Sequence, residues 1–266
     1  MAVNRNQSSV KAIFLDIDGT LILRDRGPFD EDIEQIQAAR DQGHLVFLSS
    51  GRAFANIPLV LRNASYIDGI AAGSGAHVVF KGRTIYRKNI AAELLPAICG
   101  YYLDSNKWCV FEGETDLYGV NAYDPLLFAG DILAINEKND FLTKYNGAVL
   151  TKLTIEGHVG DEERQILQDN FQLNPFLDYF EGIIKGESKS KAMEIMLNAA
   201  GIPRENSIAI GDSYNDIGAV RFAGLGIAMG NACAELKQIA GKITGDCGHG
   251  GVGNAIRQWV LAVCKV

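Results

Sequence analysis

Two aspartates follow an apolar stretch near the start of the chain. Asp16 and Asp18 come directly after the apolar residues 12–15, and Gly19 and Thr20 follow them. An unbroken apolar run that ends in turn-forming residues is typical of a strand buried on both faces of a parallel sheet. Two carboxylates so close together, beside a glycine that permits a sharp turn, favour a site for a hard cation. At this point an acidic turn without a function is the alternative.

Two further apolar runs also end in polar residues. The run at 45–48 leads into Ser-Ser-Gly-Arg at 49–52, and the run at 208–210 leads into Gly-Asp-Ser-Tyr-Asn-Asp at 211–216. Because parallel strands place their carboxyl ends at one edge of the sheet, we expect the polar clusters to meet there. Converging carboxylates repel one another unless a cation neutralises them. With oxygen donors and no His or Cys cluster, Mg²⁺ is the cation that such a site prefers.

This set of groups suits phosphoryl transfer. That reaction needs charge stabilisation at the transferring oxygens and an aligned nucleophile, which a metal, a hydroxyl and a lysine can provide. An aspartate can itself attack phosphorus. A second aspartate two residues on points elsewhere, and can serve as the acid for the leaving alcohol and then as the base for water.

Helices between these runs complete an α/β pattern. Apolar residues at helical spacing predict helices at residues 29–42, with Asp30 as the N-cap, and at residues 188–200. Asn231 stands where it can cap a further helix at residues 232–240. The predicted fold class is α/β, with a Rossmann-like doubly wound parallel sheet.

Residues 89–184 interrupt this pattern. They mix strands and helices, among them a charged helical stretch at 161–171, and no strand here ends in a cluster of reactive side chains. We therefore expect an inserted α/β domain at 89–184 and a core domain made of residues 1–88 and 185–266. Residues 1–9 are polar and predict a loose arm.

Composition narrows the class of protein. Hydrophobic residues make up 47% of the 266 positions, enough for a packed core. The net charge of −7 argues against a nucleic-acid partner, which usually meets a basic face. Five scattered cysteines without a CxxC pair are typical of reduced thiols. No apolar run approaches a membrane-spanning length and no signal core precedes Lys11, so we expect no membrane partner and a cytoplasmic location.

A Gly-x-Gly-x-x-Gly pattern at residues 248–253 does not indicate a dinucleotide site. Such a site has an acidic residue about 20 positions further on, and residues 254–265 contain no Asp or Glu. We expect a flexible turn before the last helix instead.

The four clusters together resemble the motifs of the haloacid dehalogenase-like phosphatases. The matching segments are Asp-Ile-Asp-Gly-Thr at 16–20, Ser-Gly-Arg at 50–52, Ser-Lys-Ser-Lys at 188–191, and Gly-Asp-Ser-Tyr-Asn-Asp at 211–216. The sequence is most similar to the Cof-like branch, which carries a type IIB α/β cap between the second and third motifs. The resemblance spans residues 11–256.

The resemblance implies a metal site and a nucleophile. Asp16 would be the nucleophile and a Mg²⁺ ligand, and Asp18 would be the acid/base and bind Mg²⁺ through its main-chain carbonyl. Asp212 would be a further metal ligand. Asp216 would support the metal shell, although a purely structural role in bracing its turn is an alternative.

It also implies a phosphate site. The phosphoryl oxygens would lie against the main-chain amides near Ile17 and Gly51 and the hydroxyl of Ser50. Asn215 and Lys189 would contact the phosphate as well. Two residue assignments stay open at this point: Lys191 is the alternative to Lys189, and Arg52 is either a substrate contact or part of a structural ion pair.

The function implied is a Mg²⁺-dependent phosphatase acting on a small phosphomonoester, with sugar phosphates as the leading class. A phosphotransferase or phosphomutase of the same superfamily is one alternative. A regulatory protein that binds a phosphorylated metabolite without turnover is another, although binding alone would not need both Asp16 and Asp18. The substrate, the cap residues that select it and the oligomeric state have no readable motif in the sequence.

Overall fold

The computed structural model describes residues 10–23, 26–121, 128–176 and 178–261, so the predicted arm at residues 1–9 lies outside the described chain. The first half of the chain forms, in order, β1 (Ala12–Leu15), α1 (Asp30–Asp41), β2 (Leu45–Ser49), α2 (Leu59–Arg62), β3 (Gly69–Ala72), β4 (His77–Phe80), β5 (Arg83–Arg87), α3 (Leu95–Ser105), β6 (Cys109–Gly113), β7 (Leu117–Val120) and β8 (Ile132–Ala134). The second half forms β9 (Leu150–Glu156), α4 (Asp161–Leu167), β10 (Phe171–Pro175), β11 (Tyr179–Ile184), α5 (Lys189–Ala200), β12 (Ser207–Gly211), α6 (Ile217–Phe222), β13 (Leu225–Ala228), α7 (Ala234–Ile239), β14 (Lys242–Ile243) and α8 (Gly251–Trp259).

The larger sheet has eight strands in the order β14-β13-β12-β1-β2-β3-β4-β5. The pairs from β14 to β3 are parallel, and β4 and β5 add an antiparallel edge. This arrangement confirms the predicted α/β class with a parallel sheet at its centre. The register aligns Leu15 with Leu48 on one side and with Ile210 on the other, so the three central strands end side by side.

Burial of the central strands explains their unbroken apolar runs. All four residues of β1 are buried, and the ring of Phe14 stacks on that of Phe47 with centroids 4.9 Å apart. Each buried side chain of this size stabilises the fold by about 1.5–3 kcal/mol. The central strands therefore form a stable platform for the residues at their ends.

A second sheet has six strands in the order β10-β11-β9-β6-β7-β8. Its pairs are antiparallel except for β7 and β8, and it lies within residues 109–184. A separate set of buried apolar residues, including Phe111 and Leu153, packs with this sheet. The division into domains at residues 89 and 184 stays a prediction that this second sheet motivates.

Three expectations about helix ends are wrong. The predicted helix at 161–171 ends at Leu167, because Phe171 opens β10 and pairs with Ile184. Phe29, rather than Asp30, occupies the N-cap of α1. The helix expected at 232–240 begins at Ala234 with Cys233 as its N-cap.

The Asn231 side chain binds two loops instead of capping a helix. Its amide donates to the carbonyl of Gly19 at 2.8 Å, and its oxygen accepts from the amide of Cys247 at 2.7 Å. Asn231 therefore ties the turn after β1 to the loop that precedes α8.

The glycine pattern near the end of the chain is only partly a turn. Gly250 lies before α8 with φ +68°, but Gly253 lies inside α8, where its amide donates to Asp32 at 2.7 Å. A Cβ on Gly253 would lie 2.8 Å from the carbonyl oxygen of Glu31. Gly253 therefore allows α8 to pack closely against α1.

Within the described ranges, no helix combines the length and the apolar character needed to cross a membrane.

Candidate active site

The ends of β1 and β12 bring distant aspartates together. Asp16 follows β1 directly, and its amide donates to the carbonyl of Ile210 at 3.0 Å. Asp16, Asp212 and Asp216 each offer a carboxylate oxygen, and these oxygens lie within 4.8 Å of one another. A single cation can therefore be reached from Asp16 and Asp212, as a shared metal site requires.

The turn after β1 has little room for any residue but glycine. Gly19 has φ +78°, and a Cβ on it would lie 2.1 Å from Oδ2 of Asp212. The carbonyl of Ile17 accepts hydrogen bonds from the amides of Leu21 and Ile22, both at 2.9 Å, which closes the turn. The Asp-x-Asp-Gly spacing thus fits the close approach of Asp212 to this turn.

Lys189 lies in the middle of the carboxylates. Its Nζ donates to Asp16 Oδ1 at 2.6 Å, to Asp216 Oδ1 at 2.6 Å and to Asn215 Oδ1 at 2.9 Å. Lys191 points elsewhere and donates to Glu187 and to the hydroxyl of Tyr86. Of the two candidate lysines, the structure places Lys189 at the aspartates.

The electrostatics of the cluster favour a bound cation. Burial, together with repulsion from Asp216, raises the pKa of Asp16 well above its ordinary value. The same two causes raise the pKa of Asp212 to about 7. Burial alone would lower the pKa of Lys189, but attraction to Asp16 and Asp216 outweighs it and raises that pKa. One lysine thus leaves the carboxylates incompletely neutralised.

One oxygen of Asp212 has no hydrogen-bond partner in the described part of the chain. Its Oδ1 is buried and, among the described residues, accepts from none. A buried carboxylate oxygen without a partner is costly unless a cation or water binds it. The donor set is all oxygen, so it fits a hard cation such as Mg²⁺.

Asp216 is fully engaged by protein donors. Its Oδ2 accepts from the amides of Asp212 at 3.0 Å and Ser213 at 3.1 Å, while Oδ1 accepts from Lys189. These bonds hold the turn that carries Asp212. These hydrogen bonds correspond to the turn-bracing role that the sequence left open for Asp216. They are also compatible with a role of Asp216 in supporting a metal shell.

Asp18 and Arg52 form an ion pair with two hydrogen bonds. Arg52 Nε donates to Asp18 Oδ2 at 2.7 Å, and Nη2 donates to Oδ1 at 2.8 Å. Arg52 also donates to the carbonyl of Asn56. The structural ion pair expected as one alternative for Arg52 is therefore present.

The predicted phosphate-binding residues lie around the same edge. Ser50 is buried, and its hydroxyl accepts from the amide of Arg52 at 3.1 Å. A Cβ on Gly51 would lie 3.4 Å from the side-chain nitrogen of Asn215. The side chain of Ile17 is buried in the core, so only its main chain is available to a ligand.

A cavity of about 330 Å³ opens over these residues and reaches the second sheet. Its walls include Asp16, Asp18, Arg52 and Asn215 from one side and Glu112, Lys152 and Glu181 from the other. Lys152 Nζ lies 2.5 Å from Glu181 and 3.2 Å from Glu112. The cavity is therefore lined by residues of both sheets.

Sequence reasoning missed Glu112, Lys152 and Glu181. They lie on the three adjacent strands β6, β9 and β11, and Glu112 pairs directly with Lys152 across the sheet. A charged residue in each of three strands of one sheet was the signal that could have found them, since charged residues are seldom buried without partners.

Comparison with known proteins defines the class. Residues 13–256 match the family model of the haloacid dehalogenase-like hydrolases, and the chain belongs to this family. Within the superfamily, a solved subclass IIB sugar phosphatase, BT4131, has a TM-score of 0.78 with 25% identity, covering 93% of this chain and 98% of that one. A haloacid dehalogenase-like hydrolase from Bacteroides thetaiotaomicron has a TM-score of 0.81 with 27% identity, covering 94% and 99%.

Among curated relatives, the chain is similar to 5-amino-6-(5-phospho-D-ribitylamino)uracil phosphatase YcsE of Bacillus subtilis (strain 168). The two are 26% identical over 269 residues, which covers 98% of this chain and 100% of the relative. The HMP-PP phosphatase of Yersinia enterocolitica is 23% identical over 92% of this chain and 93% of its own length. The predicted family resemblance is confirmed.

Proposed function

We propose that this chain is a Mg²⁺-dependent phosphatase that hydrolyses a small phosphomonoester through an aspartyl-phosphate on Asp16. The observation that carries the proposal is the meeting of Asp16, Asp212 and Asp216 within 4.8 Å, with one buried Asp212 oxygen left unpartnered. Membership of a family of hydrolases and the phosphatase names of the relatives support it.

The residues that would hold Mg²⁺ are the carboxylates of Asp16 and Asp212 and the main-chain carbonyl of Asp18. Asp216 supports this shell through the turn that carries Asp212. A bound Mg²⁺ would supply charge neutralisation at the phosphoryl oxygens. The unpartnered oxygen of Asp212 is what makes these residues fit a cation.

The chain's own residues divide the chemistry between them. A carboxylate oxygen of Asp16 forms a bond to phosphorus, and the bond from phosphorus to the ester oxygen breaks. Asp18 gives its proton to the departing alcohol. Asp18 then takes a proton from water, whose oxygen attacks phosphorus and releases Asp16 and inorganic phosphate.

The remaining site residues position the phosphoryl group. In this proposal the phosphoryl oxygens are surrounded by hydrogen-bond donors from the chain. These donors are the amides near Ile17 and Gly51, the Ser50 hydroxyl, Asn215 and Lys189. Lys189 also fixes Asp16, to which it donates at 2.6 Å. Because these donors are already in place, they can stabilise the charge that develops on the phosphoryl oxygens without rearrangement of the site.

Sugar phosphates are the substrate class we favour. The support is the sugar phosphatase among the solved relatives and the ribityl phosphate named in the relative from Bacillus subtilis. Residues 89–184 would form the cap over a core of residues 1–88 and 185–266, and exclude bulk water from the cavity. The proposal also includes a cytoplasmic location and a small phosphorylated metabolite as the partner. It includes no nucleic-acid partner and no membrane partner.

Hydrolysis of p-nitrophenyl phosphate tests the reaction. We expect activity with Mg²⁺, none after chelation, and a loss of about a thousandfold or more in Asp16→Asn. Asp18→Asn should accumulate a phosphorylated peptide containing Asp16 after acid quench, because hydrolysis of the intermediate loses its base. Asp41→Asn, an exposed aspartate at the end of α1, is the matched control. Metal-independent turnover, or full activity in Asp16→Asn, would refute the proposal.

A further inference from the structure

The side of the cavity formed by the second sheet carries a cluster of three buried charges. Lys152 lies between Glu181 at 2.5 Å and Glu112 at 3.2 Å. Burial alone would lower the pKa of Lys152, but the two carboxylates outweigh it and raise the pKa. Burial alone would raise the pKa of Glu112, but Lys152 and hydrogen bonds from Thr154 and Asn56 lower it. The cluster, which we call the Glu-Lys-Glu cluster, therefore holds one positive and two negative charges.

The two glutamates differ in how their oxygens are used. Glu112 Oε1 accepts from Thr154 at 2.6 Å, and its Oε2 accepts from Asn56 at 3.0 Å. Glu181 Oε1 accepts from Lys152, but its Oε2 is buried and has no hydrogen-bond partner among the described residues. Glu181 therefore has an unused acceptor, for which a donor from a ligand would be a favourable partner.

Glu181 lies close to the core loop that carries the proposed phosphate site. Both of its carboxylate oxygens lie 3.7 Å from the position that a Cβ on Gly51 would take. Asn215 Nδ2 lies 3.4 Å from the same position. A phosphoryl group held near Gly51 would thus have its leaving group beside Glu181.

Among the residues that the structure describes, no cation lining the cavity is free to bind a second anionic group. The lining residues with positive charge are Arg52 and Lys152. Arg52 is paired with Asp18 through two hydrogen bonds, and Lys152 is shared between two glutamates. A leaving group with its own negative charge would meet the excess charge of the Glu-Lys-Glu cluster without compensation.

We propose that Glu181 is a specificity-determining residue, which accepts a hydrogen bond from a hydroxyl of the leaving group while the Glu-Lys-Glu cluster excludes leaving groups that carry a carboxylate or a second phosphate. This inference rests on the proposed phosphatase function and narrows its substrates to phosphomonoesters of uncharged, hydroxyl-bearing alcohols.

A matched pair of substrates tests the inference. D-Glucitol 6-phosphate and 6-phospho-D-gluconate have the same chain length and differ in a terminal hydroxymethyl or carboxylate group. We expect kcat/KM to be at least about tenfold higher for the glucitol ester, since one unfavourable charge contact of this kind corresponds to a factor of that order. In Glu181→Gln, which keeps the size of the side chain, the ratio of the two kcat/KM values should fall about tenfold.

Controls separate specificity from folding. Glu162→Gln removes the same charge from an exposed position on α4 that does not line the cavity, and it should leave the ratio unchanged. A ratio of two activities is insensitive to the fraction of folded enzyme, and the wild-type ratio tests the charge preference even if the Glu181 variant does not fold.

The outcomes distinguish the two proposals. If p-nitrophenyl phosphate and every phosphomonoester are inert, the proposed function fails and the inference fails with it. If p-nitrophenyl phosphate is hydrolysed but the wild type prefers 6-phospho-D-gluconate, hydrolyses neither ester of the pair, or keeps its ratio in Glu181→Gln, only the inference is overturned.

Discussion

Replacing Lys189 by methionine should strongly destabilise the protein. Nζ of Lys189 lies 2.6 Å from both Asp16 and Asp216, and its side chain is 1% exposed. Methionine has a similar length but no charge, so the variant leaves buried carboxylates without their partner. Removing one member of a buried ion pair typically costs about 3–5 kcal/mol. For a chain of this size, that loss corresponds to a decrease in Tm of about 6–20 °C.

The loss of stability in Lys189→Met should depend on pH in a defined direction. Asp212 has a pKa of about 7, so it takes up a proton as pH falls below that value and the cluster becomes less negative. The absence of the Lys189 charge then destabilises the folded state less. We expect the difference in free energy of unfolding between wild type and Lys189→Met to be larger at pH 8 than at pH 5, when both are measured without divalent metal.

Lys191→Met is a matched control for this experiment. Lys191 lies on the same helix, and its side chain is 37% exposed while it pairs with Glu187. The Glu187 side chain is 3% exposed but also accepts a hydrogen bond from the hydroxyl of Tyr86 at 2.8 Å, so Lys191→Met should cost less free energy of unfolding than Lys189→Met. Denaturant unfolding monitored by circular dichroism measures both variants. Equal losses for the two lysines, or a Lys189→Met deficit that shrinks as pH rises, would refute the reasoning.

Three other predictions follow from the same geometry. Mg²⁺ should raise Tm more at pH 8 than at pH 6, because protons compete with Mg²⁺ for Asp212 below its pKa of about 7. In calorimetric titration, the apparent Kd for Mg²⁺ should rise about tenfold for each pH unit below 7. Gly19→Ala should weaken Mg²⁺ binding about 10–100-fold in the same titration, since the new Cβ would lie 2.1 Å from Oδ2 of Asp212. Arg52→Lys should lower the free energy of unfolding in urea by at most about 1 kcal/mol, because the Asp18 side chain of this ion pair is 49% exposed. A larger loss would contradict the interpretation of this contact as an exposed ion pair.

The meeting of Asp16 and Asp212 could be predicted from the sequence because the signal for each residue is local. Asp16 follows the last residue of β1, and Asp212 follows the last residue of β12, so the end of each apolar run marked its candidate residue. Parallel pairing of Leu15 with Ile210 then brings the two ends together without further information. Coordinates were needed to choose between Lys189 and Lys191, since both lie in the first turn of α5, and to find the ion pair of Arg52 with Asp18.

Tertiary contacts explain why other expectations were wrong. Asn231 satisfies the usual signal for an N-cap, yet its amide is held by the carbonyl of Gly19, more than two hundred positions away. Phe171 continues a helical pattern, yet pairing with Ile184 makes it the first residue of β10. In both cases a partner distant in sequence outweighed the local preference.

The cavity wall on the second sheet was hidden for a different reason. Glu112, Lys152 and Glu181 lie on three different strands, and in a single strand one such charge reads as a solvent-facing position of an alternating pattern. Antiparallel pairing sets Glu112 directly opposite Lys152 and Glu181 diagonally from it, and all three are buried, so only the register of the strands brings them together. Because a buried charge is unfavourable without partners, the opposite charges on these adjacent strands stabilise one another. Glu181 lines the ligand cavity, and its buried Oε2 has no hydrogen-bond partner in the described part of the chain.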